Sequence, residues 1–455
     1  MAAICALLAA CGHGGSSPPP PSRDGGAAAA RDAAGLELPA QPLGLATLDA
    51  FAWRKRAGQP AFREARAAES RGDWAAVGAA CARALAADPG HLDARWLDAI
   101  ALAHAGRLGD VLAPLTAAAA GDYGKWAPAS LDHPALQAFL ATPTGEAWRR
   151  RVARDRADYV AALARALVVT AAGDLFAFDP QAARWHRLTR TNGAVVAALA
   201  APQAHRIAYV TRERGGKLGA GVVDLATGHT SHAIDLGIAA TAAAPLAIAY
   251  GDKPAGFWIG TGGGAQAWRV LDGNGALQPV PGKHARPTGA WLEMHAHTAR
   301  LHRLPANVAA DWDDHELASA LRVGSSNRVV SVPNAGLIDG STIAWAPDRG
   351  HLAFVALDEQ CTQGKQASAL FIADTATGTT RELGQRGDGG YALEWLADGR
   401  LAVAADRGLT ITDLAGTTPP LAVDGAGLLT PRSRSRCTAE PEPEPEPEPD
   451  QPSDN

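Results

Sequence analysis

Glu293, His295, His297 and His302 are the residues of this 455-residue chain whose types and spacing best suit chemistry. His295 and His297 stand two apart, so in an extended strand both imidazoles face one side, as zinc or copper sites require. No third ligand stands at a workable spacing, so the plain reading is surface histidines on a strand, with no metal and no cofactor. Asp311-Trp312-Asp313-Asp314-His315-Glu316 gathers carboxylates suited to calcium. It lacks the glycine turn and ligand order of a calcium loop and reads as a solvated acidic loop. Gly260 to Ala265 imitates a dinucleotide fingerprint, yet QAWRVLDGNG, a strand and turn, follows where a helix should begin. No G-x-S-x-G elbow, H-E-x-x-H helix or P-loop is present, and no catalytic residue is assigned.

A further candidate is the phrase LFIADTATGTTREL at 370–383, nearly repeated as GVVDLATGHTSHAI at 221–234. An aspartate beside Thr and Gly suits a catalytic loop, a cation site or a turn. Its recurrence decides for the turn. Asp179, Asp224, Asp272, Asp374 and Asp413 each end an apolar run, at gaps of 45, 48, 102 and 39 residues. The long gap spans two units, with the missing turn near Gly324-Ser325-Ser326-Asn327. Upstream of these turns lies a second phrase, Ala346-Pro347-Asp348-Arg349-Gly350-His351. It is echoed at Leu396-Ala397-Asp398-Gly399-Arg400 and at Ala201-Pro202-Gln203-Ala204-His205-Arg206. Pro-Asp presets a tight turn and the nearby Gly accepts a positive φ.

From about residue 165 onward the chain alternates short apolar runs with turn residues, the texture of a sandwich, barrel or propeller. The two phrases together resemble the TolB-type, WD40-like β-propeller repeat over about residues 166–430. The resemblance implies a β-propeller with six blades of roughly 40–50 residues each, seven being the alternative. A spare strand, GLLT at 427–430, is placed to complete the first blade and close the ring.

Residues 46–165 read as helices. Gly72-Asp73-Trp74 and Gly106-Arg107-Leu108 each open a helix, 34 residues apart. Ala84-Leu85 before Asp88-Pro89, and Ala94, Trp96 and Leu97 in the next helix, resemble the tetratricopeptide repeat. Here the glycine is expected to allow close helix approach. So few repeats need support from a neighbour, either as a cap on the next domain or as a concave face for a partner.

The N-terminus reads MAAICALLAACGHGGSSPPPP. Its short apolar run suits a signal peptide rather than a membrane span. Leu8-Ala9-Ala10-Cys11 resembles the lipobox of bacterial lipoproteins, which implies cleavage before Cys11 and lipid attachment there. Residues 1–11 are then the signal, and 12–45 a disordered Gly/Pro/Ala-rich tether. Cys361 and Cys437 lie in loop-like sequence and are open to a disulfide; Cys81, among alanines, reads as a buried thiol. Residues 431–455 form an acidic Glu-Pro tail that cannot build a core. Without the five Glu and two Asp of residues 440–455, 40 acidic residues remain against 42 Lys and Arg, so the folded part is nearly neutral. No basic stripe offers itself to nucleic acid.

The expectation is a two-domain chain, α plus all-β, with tetratricopeptide-like helices before a TolB-like propeller. It reads as a non-catalytic, lipid-anchored protein of the cell envelope, facing the periplasm or the cell surface, that binds other proteins. The alternative is an envelope hydrolase or lyase acting on glycans or peptides from the propeller's central pocket, with His295, His297 and the Asp311–Glu316 cluster at its mouth.

Overall fold

In a computed structural model, the chain is described over residues 36–430, Ser433 and Cys437, apart from 52–55, 203–204, 214–215, 238–244, 262–267, 288, 296–298, 304–306, 314–315, 333–335, 362–365, 388–389 and 416–418. Cys11, the signal segment, the tether as far as residue 35 and the Glu-Pro tail lie outside the described residues.

Helices come first: α1 (Gln59–Glu69), α2 (Trp74–Ala87), α3 (Leu92–His104), α4 (Leu112–Gly121), α5 (Tyr123–Asp132), α6 (Gln137–Leu140) and α7 (Pro143–Ala164). Their starts are set by local chemistry. Asp73 accepts from the Ala76 N–H, His91 from Ala94 and Thr142 from Gly145, each satisfying a donor the helix leaves free. The 34-residue spacing survives as geometry: Gly72 and Gly106 sit at φ +72° and +71°. A Cβ at either would meet nothing within 4 Å, so the glycines serve the backbone turn and not the close helix approach expected of them.

The strands that follow are antiparallel and fall into six sheets among the described residues. Each acidic turn joins a sheet's penultimate strand to its outermost one. Asp374, for example, lies between Ser368–Asp374 and the edge strand Thr380–Gly387. Its Oδ1 accepts from the Ala376 and Thr377 N–H groups at 2.9 Å, and Gly378 completes the turn at φ +77°. Asp224 does the same for Ala226 and Thr227, at 3.0 and 3.1 Å. The Gly324–Asn327 turn likewise leads into an outermost strand, Arg328–Ser331, but has no aspartate to brace it.

The second phrase packs against the first. The Thr375 N–H donates to the Gly350 carbonyl (3.0 Å) and the Leu225 N–H to the His205 carbonyl (2.8 Å). The left-handed residue falls on Arg349 (φ 60°) and His205 (φ 46°), and in the third copy on Gly399 (φ 86°). In the first copy it is therefore not the expected Gly350.

Ala426–Leu428 returns to the first sheet and pairs with Leu167–Ala171, Val169 opposite Leu428. This places the last strand on the inner edge of the first sheet, so the array is propeller-like and closed on itself. Within the third sheet the hairpin Trp291–Met294 and Ala299–His302 folds back onto Leu246–Asp252, a return the sequence pattern does not foretell.

Helices and sheets share one core. Leu115, Phe139, Trp148 and Leu163 pack in a single buried cluster with Leu175, Val195, Tyr209 and Val223 of the first two sheets. Burying each such large side chain contributes about 1.5–3 kcal/mol. Arg190 reaches across to the buried Asp122 (Nε–Oδ2 3.2 Å). Residues 36–45, assigned above to the tether, lie along this junction. Leu38 is buried, the Gly44 N–H donates to Ala120 (2.7 Å), and Leu45 exchanges backbone bonds with Trp185. Cys361 and Cys437 are disulfide-bonded with Cα atoms 5.8 Å apart, and Cys81 is buried and free. Among the described residues no helix is long and apolar enough to cross a membrane.

Candidate functional site

Where the sheets converge, their innermost strands border a half-open cavity of about 640 Å³. Its wall is assembled from distant segments: Ala198–Ala201 of the second sheet, Leu301 and Arg303 of the third, Trp345 of the fifth, Glu394–Ala397 of the sixth and Leu429–Thr430 after the closing strand. The C-terminal end of α7 contributes Ala164 and Arg165. Antiparallel sheets arranged about an axis leave their innermost strands lining the centre, so residues remote in sequence converge there.

Three ionisable side chains in this wall, Glu394, Arg303 and the exposed His205, stand apart from the rest. Glu394 is half-buried beside Trp395, and burial pushes its carboxyl above the ordinary glutamate range while Arg303 pulls it back. Among the described residues neither Glu394 nor Arg303 makes a hydrogen bond or ion pair. The other cations are engaged: Arg165 pairs with Asp179 at 2.8 and 2.5 Å, and Arg206 with Asp224 at 3.2 Å. Burial alone would raise the Asp179 carboxyl, but Arg165 and the Gln181 N–H hold it below its usual value. Two indoles complete the wall. Trp395 donates through Nε1 to the Ala344 carbonyl (3.0 Å), tying the sixth sheet to the fifth.

The described residues among those singled out by sequence lie elsewhere. His302 Nε2 stands 2.7 Å from Glu293 Oε2 and its Nδ1 3.3 Å from Glu316 Oε1, while the ring stacks on Trp291 (4.0 Å between centroids, 6° between planes). His295 Nε2 is 3.4 Å from the other Glu293 oxygen. The imidazole of His302 is thus a strut between two carboxylates, joining the third sheet to the loop that enters the fifth. Glu316 Oε2 is buried there without a hydrogen-bond partner among the described residues. Among the described residues no group of three or more His, Cys, Asp or Glu is placed to hold a metal ion. His297, Asp314 and His315 lie outside the described residues. Asp313 caps its own turn, accepting from the Leu317 N–H at 2.8 Å. None of the described ones lines the axial cavity.

Sequence reasoning missed Glu394 and Arg303. Glu394 occurs in ALEW, where a single polar residue between apolar ones looks like the solvent face of any strand. The usable signal was position: ALEW immediately precedes a copy of the second phrase, and strands in that position line the axis.

No protein-family model and no curated protein matches the chain. Among solved structures it is similar to dihydro-heme d1 dehydrogenase NirN in complex with DHE (13% identity, 58% of this chain and 74% of that one, TM-score 0.32). It is also similar to a GH74 enzyme from Niastella koreensis (14%, 56% and 43%, TM-score 0.26) and to TolB from Acinetobacter baumannii (14%, 57% and 52%, TM-score 0.21). The chain spans about half the length of the latter two.

Proposed function

We propose that this chain is a non-catalytic, lipid-anchored protein of the cell envelope that binds other proteins through the axial face of a six-bladed, TolB-like propeller. The observation that carries the reading is the make-up of the cavity. Glu394 is the one acidic side chain among its described lining residues, and the lining hydroxyl of Thr430 donates to the Leu393 carbonyl (3.2 Å) with no hydrogen bond to His205, the wall's imidazole. Glycoside hydrolysis ordinarily needs two carboxyl groups about 5–9.5 Å apart, and peptide hydrolysis an activated nucleophile or a metal. A lone carboxyl and an unpaired guanidinium, Arg303, on a largely apolar wall suit recognition instead.

The helical hairpins, which resemble about one and a half to two tetratricopeptide repeats, act chiefly as a cap on the first two blades, since their core is shared with those sheets. Their remaining face is the second surface offered to a partner. Lipid attachment at Cys11 holds the chain on a membrane, and the proline-rich tether up to residue 35 carries the folded part away from it.

The test is fractionation of envelopes followed by affinity capture, for the wild type and Cys11→Ala. The wild type sediments with membranes and retains discrete protein partners, whereas Cys11→Ala is released while its purified form still binds them. A wild type that stays in the soluble fraction contradicts the anchor. Turnover of a glycan or peptide by the purified chain, lost in Glu394→Gln, contradicts the non-catalytic role.

A further inference from the structure

Arginine keeps its proton in any protein environment, whereas a buried glutamate can shed its charge by taking one up. The cavity sets these two behaviours side by side. Arg165 and Arg206 are paired with Asp179 and Asp224, so Arg303 is the unpaired guanidinium among the described lining residues, where His205 is the other basic side chain, and Glu394 opposes Arg303 only if ionised. Burial favours the neutral form of the Glu394 carboxyl, and a carboxyl that takes up a proton beside a bound anion can donate to it. The site is then a cavity of about 640 Å³ with an unpaired guanidinium and a carboxyl whose charged form burial disfavours, walled by Leu199, Leu301, Leu396, Trp345 and Trp395. That volume suits a small organic molecule or the last few residues of a chain.

We propose that the axial cavity binds a single carboxylate carried on an apolar body, with the carboxylate between Arg303 and Glu394. The guanidinium contributes a charge-assisted pair to one oxygen or both, and the Glu394 O–H donates to the same group. The indoles and leucines cover the apolar part. This deepens the binding role above and rests on it. A free apolar carboxylic acid and the C-terminus of a partner protein present the same chemistry, and the probes below separate them.

Calorimetry on the purified full chain would compare hexanoate, hexanamide and hexylamine, then the peptide acetyl-Gly-Leu-Leu as free acid and as C-terminal amide. The expected result is that a free acid binds and its amide is weaker by about tenfold or more. The tighter of hexanoate and the peptide acid identifies the source. Arg303→Gln should weaken the acid by about tenfold, and Arg303→Lys, which keeps the charge without the fork, by less. Glu394→Gln should stay within about threefold of the wild type, because the carboxamide N–H still donates. Equal binding of acid and amide, tighter binding of hexylamine, or no binding of any probe overturns the proposal. The acid–amide comparison needs no variant, so a substitution that impairs folding does not blunt it. Failure of all probes would leave the capture of protein partners standing, and loss of capture with hexanoate still bound would remove the protein-binding role alone.

Discussion

Asp374 and Glu394 carry the same carboxyl group in opposite surroundings. Two backbone N–H groups, Thr377 first and Ala376 second, hold Asp374 below the ordinary carboxylate range, and it serves as a turn brace. Glu394 has no such donors and is raised by burial. His186 is a third case: it is 3% exposed, packed edge-on to Tyr159 of α7, with Nε2 buried and without a hydrogen-bond partner among the described residues. Burial pushes it down to about 4, against the pull of Asp179 and Asp122. Its folded pKa lies below its unfolded value, so between pH 6.5 and about 4 the unfolded chain binds the extra proton and stability falls as pH falls. The loss is on the order of 3 kcal/mol across that window. Denaturant unfolding at stepped pH should show it, and His186→Phe should remove about one proton's worth of slope. An unchanged slope in that variant would mean that His186 is not held neutral in the folded chain.

At the scale of the element, the turns carry the repeat. Gly72 and Gly106 open equivalent helical hairpins at positive φ, with open space where a side chain would stand. Gly72→Ala and Gly106→Ala should therefore each cost about 1 kcal/mol by backbone conformation alone, read as a shift in denaturation midpoint at unchanged slope. Asparagine at either position should cost less, since it tolerates this region better; equal losses for Ala and Asn would point to another cause. Turn chemistry of this kind is local, so the acidic turns, the Gly324–Asn327 substitute and the closing strand could be read from the sequence. The hairpin at 291–302 could not, because its pairing with Leu246–Asp252 spans some forty residues and has no local marker. Residues 36–45 escaped for a related reason: a Gly- and Pro-containing strap is held by contacts with Ala120 and Trp185, not by its own pattern.

For the whole molecule, the helices, the strap and the first two sheets share one core, while the axial cavity draws on residues from sheets far apart in the chain. Individual strands were legible, but the wall they make together was not. Glu394 acquires its environment only when the array closes. A binding role at this cavity is tested most directly by a photo-reactive residue placed at its mouth, at Ala397, in cells. The control is the same residue at Val329, 57% exposed on the edge strand of the fourth sheet. The account predicts a discrete protein adduct from position 397 that weakens in Arg303→Gln and is absent from position 329. The same adducts from both positions, or none from position 397, would contradict it.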